Sequence, residues 1–323
     1  MKKRLKIFLS VVATALVLLF IGLSYFIGLQ VFEGSTQLIT NDNTMGFSDA
    51  FWEKYAFDYE SFHNTYKVEK MTIPSSYEEH MIPADYIYAL ELNNSKNHQT
   101  VIMVHGLGGN RYSNYPMAEF FLENGYNVLT YDQRSTNENT AQYTTFGYRE
   151  KYDLIDWVNY IEEQAPGQKI GLWGASFGGA TAGLALAYEN MDEKVDFLIL
   201  DCPVSSMEWM VEQEMKTMDV GIPVSYMAWC GNIVNKLKLG FTYHDADLPT
   251  AMRNVKTPVL VINSKIDSVT PYFMGKDIYE TLPESNREIW TVDDSEHCDI
   301  WLDYNQEYRN RMGSFCLAVC DRI

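Results

Sequence analysis

From residue 68 onward, short apolar runs alternate with longer helix-like segments, and this alternation constrains the fold more than any other feature of the chain. QTVIMVHG, GYNVLTYDQR, QKIGLWGAS, VDFLILDCP, TPVLVINS and REIWTVDDS read as strands. A strand covered on both faces gives a near-continuous apolar run, whereas a half-exposed one alternates with period two. Between the runs lie a helical stretch at 112–124, the amphipathic segment YREKYDLIDWVNYIEEQ, and FGGATAGLALAYEN, which is rich in small residues. This pattern predicts an α/β fold with a mostly parallel central sheet and helices on both faces. Two earlier runs, KVEKMTIPS and ADYIYALEL, read as strands joined by a polar turn. Residues 204–250 break the alternation and are longer than a simple crossover needs. They predict an inserted helical cap over the C-terminal edge of the sheet. Its Met207, Met210, Met215, Met218 and Met227, with Trp209 and Trp229, suit either packing of the cap or an adaptable apolar pocket.

The sharpest chemical signal is Gly174-Ala175-Ser176-Phe177-Gly178, followed by Gly179. It ends one predicted strand and opens a helix, the setting of a nucleophile elbow. Small neighbours permit the tight turn that lifts the Ser176 hydroxyl clear of the sheet edge. Upstream, His105-Gly106-Leu107-Gly108-Gly109 ends the QTVIMV strand. Acyl transfer builds negative charge on a carbonyl oxygen, which needs preorganised N–H donors. The backbone amides of Leu107 and Phe177 are the expected pair. His105 belongs to this loop and is expected to be structural. The general base should come last in chain order, which selects His297 in Ser295-Glu296-His297-Cys298. His63, His80 and His98 precede the core strands, and His244 falls in the cap. The acid that orients the base is expected at Asp267, just past TPVLVINS. Asp201 is its rival, and Asp293 and Asp294 would lie on the strand end of His297 itself.

The N-terminus sets location. Lys2, Lys3, Arg4 and Lys6 precede an uncharged run of 26 residues, IFLSVVATALVLLFIGLSYFIGLQVF, and the next charge is Glu33. A membrane-spanning helix needs about 20 apolar residues. The only Ala-x-Ala lies inside the run, at Ala13 to Ala15, so an uncleaved signal anchor is preferred to a cleaved signal peptide and a secreted enzyme. The four bases then stay cytoplasmic and the rest faces outward. The expected organisation is an anchor at 1–32, a stalk and short helix at 33–67, and a catalytic domain at 68–323 with the cap inside it. Ser48 is a candidate cap for the short helix, with Phe51, Tyr55, Tyr59 and Phe62 on one face. The formal charge is -18, from 43 acidic and 25 basic residues. Such a surface repels phosphate backbones, so nucleic acid is not an expected partner. Five cysteines, Cys202, Cys230, Cys298, Cys316 and Cys320, show no CxxC or Cys/His ligand spacing, so no metal is expected. Oligomeric state is left open.

HGLGGN, GASFGG, SKIDSVTP and SEHCDIW together resemble the α/β-hydrolase superfamily. The resemblance runs from about residue 68 to the end. It is strongest toward bacterial membrane-anchored hydrolases grouped with serine aminopeptidases and monoglyceride lipases. It implies the triad Ser176, Asp267 and His297 and no metal or organic cofactor. It does not name a substrate, because the family hydrolyses many esters, amides and thioesters. The expected reaction is hydrolysis of a small or medium acyl or aryl ester through an acyl-enzyme. A short peptide is the alternative substrate, with Glu208, Glu212 and Glu214 of the cap as possible amine-binding carboxylates. An acyltransferase would use the same triad. A catalytically inactive surface binding module is the non-enzymatic alternative.

Overall fold

The computed structural model of the protein describes residues 2–37, 44–90 and 99–320. His98 and the end of ADYIYALEL lie outside the described residues. The chain forms two compact units. One comprises the N-terminal helix together with residues 206–245, and the other comprises the remainder.

The larger unit is built on an eight-stranded sheet: β1 (Val68–Pro74), β2 (Met81–Ile87), β3 (Gln99–Val104), β4 (Asn127–Tyr131), β5 (Lys169–Ala175), β6 (Phe197–Asp201), β7 (Val259–Ser264) and β8 (Arg287–Val292). Their spatial order is β1-β2-β4-β3-β5-β6-β7-β8. β1 and β2 are antiparallel, as are β2 and β4, and every later pairing is parallel. The continuous apolar runs sit in the middle. Every residue of β6 and β7 is buried, whereas the edge strands β1 and β8 alternate in exposure. Burial on both faces removes the period-two constraint, so these strands carry consecutive apolar side chains until their polar C-terminal ends at Asp201 and at Asn263 and Ser264. The parallel strands end on one edge, and Ser176, Asp267 and His297 follow the ends of β5, β7 and β8. In such sheets the carboxyl edge is where ligands bind.

The helices of the catalytic domain include α2 (Thr44–Lys54), α3 (Tyr59–Thr65), α4 (Tyr115–Glu123), α5 (Glu150–Gln164) and α6 (Phe177–Leu186). α5 buries Leu154, Ile155, Trp157, Val158 and Ile161, the stripe expected of a helix on a sheet. Where the sequence predicts a stalk and short helix at 33–67, residues 44–67 form α2 and α3. Ser48 lies inside α2 rather than capping it, is buried, and donates to Asn110 Oδ1 at 2.7 Å. Trp52 Nε1 donates to the Tyr112 carbonyl at 2.9 Å, and Phe62 packs in the main core. The aromatic spacing marks the helix but not its docking partners, because the segment is anchored by buried hydrogen bonds as well as by apolar contact.

In the smaller unit, α1 (Lys2–Thr36) is followed much later in sequence by α7 (Met207–Thr217) and α8 (Val224–Leu239). α1 has 35 residues, about 52 Å at 1.5 Å per residue, against an apolar bilayer core of about 30 Å. Its first two-thirds is exposed and apolar all round, as at Leu16 to Ile21. Its last third is packed protein: Ile27, Val31, Phe32, Ser35 and Thr36 are buried. Here α1 meets α8. A Cβ on Gly28 would lie 2.5 Å from the Cys230 carbonyl oxygen, and one on Gly231 would lie 2.4 Å from Val31. Two facing glycines thus let the helices approach closely. The expected boundary at residue 32 is displaced, since the helix runs on to Thr36 and its final turns belong to this contact.

Four further helices belong to the larger unit: α9 (Leu248–Met252), α10 (Tyr272–Thr281), α11 (Ile300–Asp303) and α12 (Asn305–Cys320). Residues 246–250, which the sequence assigns to the cap, group with the larger unit.

Candidate active site

Ser176 sits at φ 53° and ψ -116°, between the last residue of β5 and the first of α6. A non-glycine residue rarely adopts such a backbone, and strain of this kind collects at functional turns. The surroundings force it. Ser176 N–H donates to the Asp201 carbonyl at 2.8 Å, and the Ser176 carbonyl accepts from Gly179 and Val204. A Cβ on Gly178 would lie 2.1 Å from the Val104 carbonyl oxygen, so only glycine lets α6 pass the end of β3.

His297 joins the elbow to the acid loop. Its Nε2 is 2.9 Å from Ser176 Oγ, and its Nδ1 is 2.7 Å from Asp267 Oδ2. Asp267 is buried and held by three further donors. Val269 N–H and Thr270 N–H reach Oδ1 at 2.9 and 2.8 Å, and the Thr270 hydroxyl reaches Oδ2 at 2.8 Å. Burial alone would raise the Asp267 pKa, but His297 and the Thr270 donors outweigh it and leave the carboxyl below its usual range. Burial works against a charge on His297, while the neighbouring Cys298 sulfur and the Asp267 carboxylate favour it, and the balance is upward. The Asp267 carboxylate orients Nδ1–H of the ring, and in the neutral ring this arrangement turns an unprotonated Nε2 toward Ser176 Oγ.

The rival carboxylates are engaged elsewhere. Asp201 Oδ2 accepts from Tyr308 at 2.7 Å. Asp293 pairs with Lys265 at 2.5 Å, and Asp294 accepts from the Tyr304 hydroxyl. His105 is fully buried. Its Nε2 accepts from Gln133 N–H at 3.1 Å, and its Nδ1 lies 2.8 Å from the Gly106 carbonyl. Burial pushes its pKa down to about 4, so it is neutral and structural. Because the unfolded chain protonates near 6.5 and the folded one does not, stability is full above about pH 6.5 and is lost as pH falls toward 4, by at most roughly 3 kcal/mol. Urea midpoints between pH 7 and pH 4.5 should fall less in His105→Gln than in wild type. An equal fall in both would place the acid sensitivity elsewhere.

The loop bearing Leu107 lies beside the elbow, and a Cβ on Gly106 would stand 3.5 Å from Ser176 Cβ. Neither the Leu107 nor the Phe177 amide has an acceptor among the described backbone hydrogen bonds. Three supports of this site were missed in the sequence, two from α2 and one from the residue that follows it. Phe47 packs 3.6 Å from the position a Cβ would take on Gly108. Tyr55 donates to the Cys298 carbonyl at 3.0 Å, and Lys54 pairs with Asp299. One short helix thus braces both the Leu107 loop and the histidine loop. Its regular aromatic spacing was legible, but its docking partner was not.

Cysteines also converge here. Cys202 and Cys298 stand at positive φ, 46° and 59°, and neither forms a disulfide. Their sulfurs and a ring nitrogen of His297 lie within 4.8 Å of one another.

Among known proteins, the family model described as the alpha/beta hydrolase fold matches residues 99–238. The chain has the α/β-hydrolase fold. The protein YqkD of Bacillus subtilis is 25% identical to this hydrolase-fold chain over 239 residues, 73% of this chain and 77% of YqkD. The lysophosphatidylserine lipase ABHD12 of Rattus norvegicus is 22% identical over 57% of this chain and 46% of its own length. The structure of the Pyrococcus furiosus esterase Pf2001 superimposes with a TM-score of 0.61 at 21% identity, covering 79% of this chain and 93% of that one. The esterase EaEST of Exiguobacterium antarcticum gives 0.54 at 18% identity, over 76% and 99%. At these identities the two structures establish the shared fold.

Proposed function

We propose that this α/β-hydrolase-fold protein is a serine hydrolase that cleaves carboxylic esters through an acyl-enzyme. The observation that carries the proposal is the hydrogen-bonded chain Ser176–His297–Asp267 with its serine on a strained elbow. Ser176 Oγ attacks the ester carbonyl as His297 Nε2 takes its proton. His297 returns the proton to the leaving alcohol, and the acyl group remains on Ser176. Water, deprotonated by the same nitrogen, then releases the acid. Asp267 holds the ring orientation and stabilises the imidazolium. The Leu107 and Phe177 amides are the proposed donors to the oxyanion. The similar structures that are esterases support an ester substrate, and ABHD12 supports a lipophilic one.

The N-terminal helix supports a membrane-anchored enzyme. Cleavage within or after the apolar run would remove a helix that α8 packs against, which favours an anchor over a released peptide. The basic residues before it support an orientation with the larger unit outside the cytoplasm. Tyr226 of α8 hydrogen-bonds Ser24 at 2.6 Å and stands near the Phe20 ring, both on the apolar part of α1. Trp229, Ile233 and Leu237 form an exposed apolar stripe at helical spacing on α8. Together these features favour an amphiphilic ester presented at a bilayer surface.

The test is a panel of p-nitrophenyl esters set against aminoacyl-nitroanilides, assayed with the full chain in detergent or nanodiscs. Ester turnover is expected, with kcat/KM rising several-fold from acetate to medium acyl chains. Anilide preference would transfer the assignment to the peptidase. A preference for acetate would remove the amphiphile.

A further inference from the structure

We propose that Cys202, Cys298 and His297 form a capture site for a thiophilic divalent cation of the zinc type, and that occupancy switches the hydrolase off. The switching part rests on the assignment of His297 as the general base, whereas the binding part does not. Zinc sites take two to four thiolate and imidazole ligands, and here two sulfurs and one ring nitrogen already face one another within 4.8 Å. Tetrahedral coordination with zinc–sulfur bonds of about 2.3 Å needs sulfurs roughly 3.8 Å apart, so side-chain rotations of about 1 Å suffice.

A second observation points to a cation at this place. Asp201 is almost fully buried with its carboxyl against the Cys202 thiol, and its Oδ1 meets no nitrogen or oxygen donor in the described structure. It is adjacent in sequence to Cys202. An acid buried beside two sulfurs, with one oxygen that meets no nitrogen or oxygen donor, is costly unless a positive charge or a proton relieves it. A divalent ion on the two sulfurs would supply that charge. The backbone agrees, because both cysteines are held at positive φ, where a β-substituted residue is disfavoured, so the fold presents these two side chains at a conformational cost.

The chemistry involves no oxidation. Each thiol releases a proton to solvent and binds as thiolate, and His297 binds through a neutral ring nitrogen. Both ring nitrogens already serve the triad, Nδ1 toward Asp267 and Nε2 toward Ser176. Metal capture must therefore break one of those hydrogen bonds, and ion binding and catalysis exclude each other. Soft thiolate ligands favour zinc or cadmium over magnesium or calcium.

The test uses the full chain. In Ser176→Ala, titration with cadmium chloride should give ultraviolet cadmium–thiolate absorption saturating at one ion per chain. Magnesium should give none. That absorption should be lost in Ser176→Ala/Cys298→Ala. In the active enzyme, micromolar zinc should inhibit, and a chelator should restore turnover. Cys298→Ala should need at least tenfold more zinc for half-inhibition. No cadmium–thiolate absorption in Ser176→Ala would overturn the site, and this measurement needs neither a cysteine variant nor activity. Absorption without inhibition would overturn the switch, as would equal zinc sensitivity in wild type and Cys298→Ala, since the ion would then be acting on His297 alone.

Discussion

Ser176→Ala is expected to abolish ester turnover, with kcat lowered on the order of 10⁶-fold, the loss seen when a triad nucleophile is removed. The size follows from the role. Without Oγ there is no acyl-enzyme, and only the amide donors and substrate binding remain to stabilise a direct attack by water. The fold should survive, because the elbow is held by backbone contacts: Ser176 N–H to Asp201, and the Ser176 carbonyl to Gly179 and Val204. Labelling by a fluorophosphonate probe gives an independent readout. Wild type should label and Ser176→Ala should not. A well-folded wild type that fails to label would remove the esterase, peptidase and acyltransferase assignments together and leave the surface binding module.

The largest effect on stability is expected at Arg111. Its guanidinium is buried and pairs with Asp85 at 3.1 Å through Nε, with Asp132 through a short contact, and with Glu138 at 2.8 Å. The Tyr115 hydroxyl completes the group by donating to Asp85 at 2.7 Å. Burial already lifts the Asp132 pKa to about 6 even with Arg111 opposing it. Arg111→Met would leave two buried carboxylates without their cation, a loss of about 3–5 kcal/mol. For a domain of this size that corresponds to a fall in Tm of roughly 10 °C. Part of the loss should return on lowering the pH from 7.5 to 5.5, because protonation removes the stranded charge. Thermal unfolding of the variant at both pH values checks this. A loss below about 1 kcal/mol, or one that does not depend on pH, would show that the pair carries little net energy. By contrast, the exposed Lys265–Asp293 pair should contribute no more than about 1 kcal/mol.

Much of the candidate site was legible because its signals are local. An elbow needs glycine at fixed offsets from its serine, and Gly178 shows why, with no room for a Cβ against Val104. A strand buried on both faces is a near-continuous apolar run, so β6 and β7 announced themselves by FLIL and VLVI. Chain order then separated Asp267 and His297 from the other carboxylates and histidines. Asp201 shows the limit of this logic. It stands at a strand end as a triad acid would, and only the Tyr308 hydroxyl, 107 residues away, shows that it is used otherwise.

What the amino-acid sequence determined by itself is the alternating α/β frame, the elbow at Ser176, the order of its partners and the apolar N-terminal helix. Each rests on periodicity or on residue types within a few positions of one another. Tertiary structure alone decided the rest. It docked α2 onto the histidine loop, through a Tyr55 hydrogen bond spanning 243 residues. It gave the last third of α1 to α8 and gathered Cys202 and Cys298 around His297. Such contacts join polar or small residues far apart in the chain. Neither hydrophobic period nor turn chemistry marks them, because the energy that selects them exists only once the elements have packed.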